Sequence, residues 1–160
     1  MVRQVWVRVT LAAALAVGLA AAVMAPRALR AAPTATVKST VIYALPSGGE
    51  ETPPNASPAT ALGRFVLTSD HKQLLYEVHV TGLSGPATAM HLHTGARGVS
   101  GPVTIPLATP DDGGEAVGCV PVPAGTDAAL LAQQMYLNIH TGAFGAGEIR
   151  GQAVPAPAGS

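Results

Sequence analysis

After residue 36 the chain is written in short segments that alternate apolar and polar residues with a period of two, a pattern that suits a β-strand and no helix. The segment 73–80 is the clearest. Leu74, Tyr76, Val78 and Val80 share one parity, and Leu75, Glu77 and His79 share the other. Successive side chains of a strand point to opposite faces, so such a segment buries one set and leaves the other for a different environment. Strands are expected over 36–45, 61–68, 73–80, 88–93, 102–107, 115–122, 135–140 and 147–154. Turn chemistry separates them: Ser69-Asp70-His71-Lys72, Pro110-Asp111-Asp112-Gly113-Gly114, and a loop at 46–58 rich in proline and glycine. One short helix is expected over 127–134, with Thr126 as its cap and Asp127 near its N-terminal dipole. The sum is an all-β fold, a Greek-key β-sandwich of about eight strands with one short helix before the last hairpin.

The first 31 residues read differently. Arg3 and Arg8 are followed by an apolar run of 16 residues from Val9 to Met24 and a small-residue stretch with Arg27 and Arg30. This is the pattern of a secretory signal peptide, and the run is short of the ~20 residues that span a bilayer. The expected organisation is a signal peptide at 1–31, a linker at 32–35, the sandwich domain at 36–154 and a flexible tail at 155–160. The expected location is secreted, periplasmic or cell-surface, with an uncleaved signal segment as the only route to a membrane. Four of the nine basic residues and none of the nine acidic ones fall in that segment, leaving the remainder at 5 − 9 = −4. A mildly acidic domain lacks the basic footprint of a nucleic-acid binder. Cys119 is the only cysteine, so no disulfide can close within the chain. It reads as a small buried hydrophobe of a strand.

Chemistry-bearing residues gather on one parity. His91 and His93 share a face of their strand. So do Tyr136, Asn138 and His140 of theirs, opposite Leu137 and Ile139. His79, Glu148 and Arg150 also fall on the parity opposite the apolar set. If these strands are neighbours, one outer sheet face is rich in imidazole and charge. A His-x-His pair on a strand with a distant third histidine can hold copper or zinc, ions that favour imidazole nitrogen. Glu148, His79 or water would complete the set. The competing reading has His91, His93 and His140 bracing loops by hydrogen bonds. Glu148 and Arg150 read as a same-face ion pair, with a ligand contact as the alternative. Glu50 and Glu51 read as a solvated loop tip. No catalytic residue is assigned, because no Ser/His/Asp spacing, nucleophile elbow or phosphate loop is present.

Several of these segments together resemble the CHRD domain, named for its repeats in chordin and found in bacteria as single-domain secreted proteins. The resemblance starts at Tyr43-Ala44-Leu45 leading to Glu51-Thr52-Pro53-Pro54. It continues through Gly63, Leu75-Tyr76 and Val80-Thr81-Gly82-Leu83. Its most specific parts are His91-Leu92-His93 with Gly101-Pro102-Val103, and Tyr136-Leu137-Asn138-Ile139-His140-Thr141 with Gly147-Glu148-Ile149-Arg150-Gly151. The turn between Thr141 and Gly147 lacks the proline often found there. The resemblance implies an extracellular β-sandwich that acts as a binding or structural module, without established catalytic activity. Its partner would be an extracellular protein or cell-surface component, as chordin binds growth-factor ligands. A fainter likeness to copper/zinc superoxide dismutases rests on the His-x-His strand and later histidine. The disulfide pair and zinc-site aspartate of those enzymes are missing here.

Overall fold

The computed structural model describes residues 38–157. The expected signal segment and the last three residues of the tail lie outside the described residues. Nine strands form two antiparallel sheets: β1 Thr40–Ala44, β2 Thr60–Leu67, β3 Gln73–Thr81, β4 Ala87–Thr94, β5 Val103–Leu107, β6 Glu115–Pro121, β7 Met135–Thr141, β8 Ile149–Gln152 and β9 Val154–Pro155. The first sheet has the order β6-β3-β2-β1-β9 and the second β5-β4-β7-β8. The chain passes between sheets after β3, β5, β6 and β8, the interlocked path of a Greek-key sandwich.

The alternation of β3 is reproduced in full, with Leu74, Tyr76, Val78 and Val80 buried and the residues between them exposed. Across the sandwich they meet Met90 and Leu92 of β4, Leu137 and Ile139 of β7, Ile105 of β5 and Ile149 of β8. Burying each such side chain fully contributes about 1.5–3 kcal/mol. β7 departs from simple alternation: six of its seven residues are buried, on both parities. A strand buried on both faces needs cover on the second. Here the cover is the loop 45–59 and the loop 95–102, which lie over the outer side of the second sheet.

Four local expectations are corrected. Ala153 lets the chain leave the second sheet, so the segment expected as one strand at 147–154 is two, β8 and β9, in different sheets. Pro155 pairs with Ile42 and the Ala156 amide donates to the Val41 carbonyl, so the start of the expected tail is fixed to β1. The helix α1 runs Thr126–Leu131 and Thr126 is its first residue, not its cap. Left-handed Gly125 occupies the cap position. Cys119 is exposed. It shares the outward parity of Val117, while Ala116 and Gly118 face Tyr76 and the core.

The free edge of β8 is closed by Ser47, whose backbone exchanges two hydrogen bonds with Arg150 (3.0 and 3.2 Å). This docking brings the chain at Leu45–Pro46 so near β8 that a Cβ on Gly151 would stand 2.6 Å from the Leu45 carbonyl carbon. Only glycine admits that crossing. Gly151→Ala should therefore lower unfolding stability by about 1–3 kcal/mol, read as a shifted denaturant midpoint. Gly142→Ala, with no heavy atom within 4 Å, should stay within about 0.5 kcal/mol.

Candidate metal centre

β4 and β7 pair with His91 opposite Asn138 and His93 opposite Tyr136. His140 stands two residues beyond Asn138 on the same face. The pairing brings three imidazoles together, with ring centroids 5.6 Å apart for His91 and His93, 5.3 Å for His91 and His140, and 6.2 Å for His93 and His140. One ring nitrogen of each lies within 4.8 Å of the other two. Some point therefore lies no more than 4.8/√3, about 2.8 Å, from all three nitrogens. Metal–imidazole bonds are about 2.0–2.1 Å, so a small inward lean of the rings closes the difference.

Hydrogen bonding sets the state of two of these rings. His93 Nδ1 lies 2.9 Å from the Gly101 carbonyl and His140 Nδ1 lies 3.1 Å from the Gly145 carbonyl. A carbonyl can only accept, so each Nδ1 carries the proton. In a neutral imidazole the lone pair is then on Nε2. Both Nε2 atoms are buried and without a hydrogen-bond partner, as is His91 Nδ1. Burial holds the pKa of His91 below its ordinary value, and the neighbouring imidazoles of His140 and His93 push the same way. For His93 burial is again the largest cause of a lowered pKa. The Gly101 carbonyl opposes it, and His140 and Arg150 add to it. Both rings therefore favour the neutral, ligating form.

Around the triad the outer face of the sheet is a buried polar layer. Tyr136 stacks on His93 (4.9 Å, 11°), and the Arg150 guanidinium lies 3.5 Å from the centre of the Tyr136 ring. Arg150 is 2 % exposed. It donates to the Ala96 and Val99 carbonyls (2.9 Å each) and to Thr52 Oγ1 (3.1 Å), clamping both covering loops. Gln152 donates to the carbonyls of Gly95, Gln133 and Met135. The expected Glu148–Arg150 ion pair is not formed. Glu148 instead accepts from Ser57 Oγ (2.7 Å), the Ser84 amide (2.9 Å) and hydroxyl (2.7 Å), and Thr141 Oγ1 (2.6 Å). Burial alone would raise its pKa. The bonds from Thr141, Ser84 and Ser57 outweigh that and hold it below the ordinary value. Glu148 is thus committed as a tie between the loop 45–59, the β3–β4 turn and β7, and is no spare ligand.

His79 is also separated from the triad. It lies on β3, in the other sheet, on the solvent face, beside Glu77 and Glu115. Parity along the chain said which face of its own strand it takes and nothing about which sheet. Glu50 and Glu51 do not form a solvated tip either. Glu50 pairs with Arg97, whereas Glu51 is 8 % exposed and turned under the loop. Glu51 Oε1 and Asn138 Oδ1 are both buried without a partner, and both lie within 2.7 Å of where a Cβ on Gly147 would stand. Gly147 also has φ +133°, so the site needs glycine twice over. Burial raises the Glu51 pKa, against the opposing pull of the Thr52 backbone hydrogen bond and the Arg150 charge. Adjacent acids in a loop gave no sign of this, because the burial comes from docking of the whole loop.

With this geometry in hand, the chain can be placed. The CHRD domain family matches residues 42–153, and the chain belongs to that family. No curated protein and no solved structure matches it significantly.

The two buried carboxyls should give opposite pH signatures. Glu148, with a depressed folded pKa, contributes stability present above the ordinary carboxylate range and lost as pH falls through the folded value. Glu148→Gln should cost about 1–3 kcal/mol at neutral pH and flatten the acid limb of the stability curve. Glu51, with a raised folded pKa, contributes stability that is full below the ordinary range and lost as pH rises through the folded value. Glu51→Gln should therefore raise stability at neutral pH and leave it little changed in acid. Urea unfolding across pH 3–8 checks both.

Proposed function

We propose that this CHRD domain is an exported, non-catalytic metal-binding module that holds one transition-metal ion, copper or zinc, through His91, His93 and His140. The observation that carries the reading is the set of three buried ring nitrogens without hydrogen-bond partners, His91 Nδ1, His93 Nε2 and His140 Nε2, in rings clustered with His91 edge-on to the other two. A buried polar atom without a partner costs stability, about 1–3 kcal/mol each. Three in one place are accounted for together by a single ion. The loop-bracing reading explains the Nδ1 atoms of His93 and His140, which hold Gly101 and Gly145, and leaves the other three nitrogens without a role. The backbone carbonyls that hold the two rings are the outer-shell partners a metal-bound histidine ordinarily has.

Three imidazoles leave a further coordination position, which a water or an exogenous group would fill. His91 and His140 are only partly buried, so an ion reaches the triad from solvent. A partner at the cell surface or outside the cell fits the family and an exported chain.

Binding is tested on untagged protein by metal analysis and thermal melting. One equivalent of copper or zinc is expected, with stabilisation of RT ln(1 + [L]/Kd), about 4 kcal/mol at a thousandfold excess over Kd. His91→Ala with His140→Ala should abolish both effects. The absence of any melting shift at micromolar copper or zinc would contradict the proposal, and a shift that survives the double substitution would move the site elsewhere.

A further inference from the structure

From the charge around the triad we infer that its preferred ion is monovalent copper, Cu(I), rather than a divalent ion. The inference rests on the metal-binding reading above and specifies which ion that site selects. The ligands are three neutral imidazoles, with no thiolate or carboxylate among them. Their outer-shell partners are also uncharged: His93 and His140 donate to backbone carbonyls of Gly101 and Gly145, not to a carboxylate that would make the rings more basic. The acidic groups expected to help are elsewhere. Glu148 is held by the hydroxyls of Ser57, Ser84 and Thr141. Glu77 and Glu115 flank His79 on the other sheet. Glu51 lies beside Asn138, and its buried Oε1 makes no hydrogen bond to any of the three rings.

The fixed charge that does reach the triad is positive. The Arg150 guanidinium lies on Tyr136, and Tyr136 lies on His93. The guanidinium carbon is therefore no farther from the His93 ring centre than the two stacking distances end to end, about 8.4 Å. Arg150 is buried, and its guanidinium donates to the uncharged Thr52 hydroxyl and the Ala96 and Val99 carbonyls, with no ion pair among the described residues. A neutral ligand set beside a buried cation penalises each unit of charge on the ion, and a doubly charged ion is penalised twice. Three imidazoles at the corners of a triangle also provide the low coordination number that Cu(I) accepts without a fourth ligand. A divalent ion would need an added anion or hydroxide to balance its charge.

The test is competition for each ion. Untagged protein is loaded anaerobically with Cu(I) and titrated with bicinchoninate. In parallel it is loaded with Zn(II) and with Cu(II) and titrated with chromophoric chelators for those ions. The expected result is retention of one Cu(I), with Zn(II) and Cu(II) surrendered at far lower chelator concentration. Two variants move the preference predictably. Arg150→Gln removes the cation and should favour Zn(II) over Cu(I) by roughly tenfold or more relative to the unsubstituted protein. Arg150 also clamps two loops, so a second variant adds charge instead of removing it. Pro106 is exposed on β5 directly opposite His91, and Pro106→Glu places a carboxylate beside the triad and should shift the ratio the same way. Zn(II) held as tightly as Cu(I) would overturn the inference and leave the triad standing as a metal site. Binding of none of the three ions would overturn the triad reading itself.

Discussion

The outer side of the second sheet depends on one buried guanidinium. Arg150 sits in β8 with its backbone paired to Ser47 and its side chain inserted beneath both covering loops, where it reaches the carbonyls of Ala96 and Val99, the hydroxyl of Thr52 and the face of Tyr136. A buried charge left without partners is expensive, commonly several kcal/mol. The loops therefore cannot lift without exposing that cost. Because they stay down, Tyr136 stays stacked and His93 is held against it. The polar layer on the other side of the second sheet is where the three imidazoles meet.

Polar residues in that layer fall into two groups. Glu148 and Arg150 have their hydrogen bonds made, each joining segments distant in the chain, as does the Gln152 amide nitrogen. The buried nitrogens His91 Nδ1, His93 Nε2 and His140 Nε2, with Glu51 Oε1, Asn138 Oδ1 and Gln152 Oε1, do not. Satisfied groups specify a rigid frame, and unsatisfied ones inside it represent stored cost. That the unmet histidine nitrogens are adjacent, rather than scattered, is the reason to read them as a binding site. Two of the rings are oriented by backbone carbonyls, which accept from Nδ1 of His93 and of His140 and so place the proton there.

How much of this could be read from the chain alone follows from what sets each feature. Period-two alternation decided the strands, and residues of β3 such as Leu74 and Val78 took the faces their parity required. The shared face of His91, His93 and His140 was legible for the same reason, since β4 and β7 turned out to be neighbours. His79 obeyed the same parity rule and sits in the other sheet, because parity is local and sheet membership is set by long connections. Cys119 looked like core and is not, because alternation leaves one residue type on either face with equal ease. The burial of Glu51 and the role of Arg150 were beyond reach. Both arise from loops crossing a sheet, and loop backbone is satisfied by distant partners that no local pattern announces. The family match to residues 42–153 agrees with the motif glycines in this light: Gly147 and Gly151 are where the covering chain comes too close for a Cβ.

The central claim is that two of the three histidines are preset, with the proton on Nδ1 and a bare Nε2 turned toward the triad. Ring nitrogen chemical shifts and long-range couplings in ¹⁵N-labelled, metal-free protein at neutral pH report this directly. The account predicts that Nδ1 is the protonated nitrogen of His93 and of His140. Nε2-protonated tautomers would contradict it.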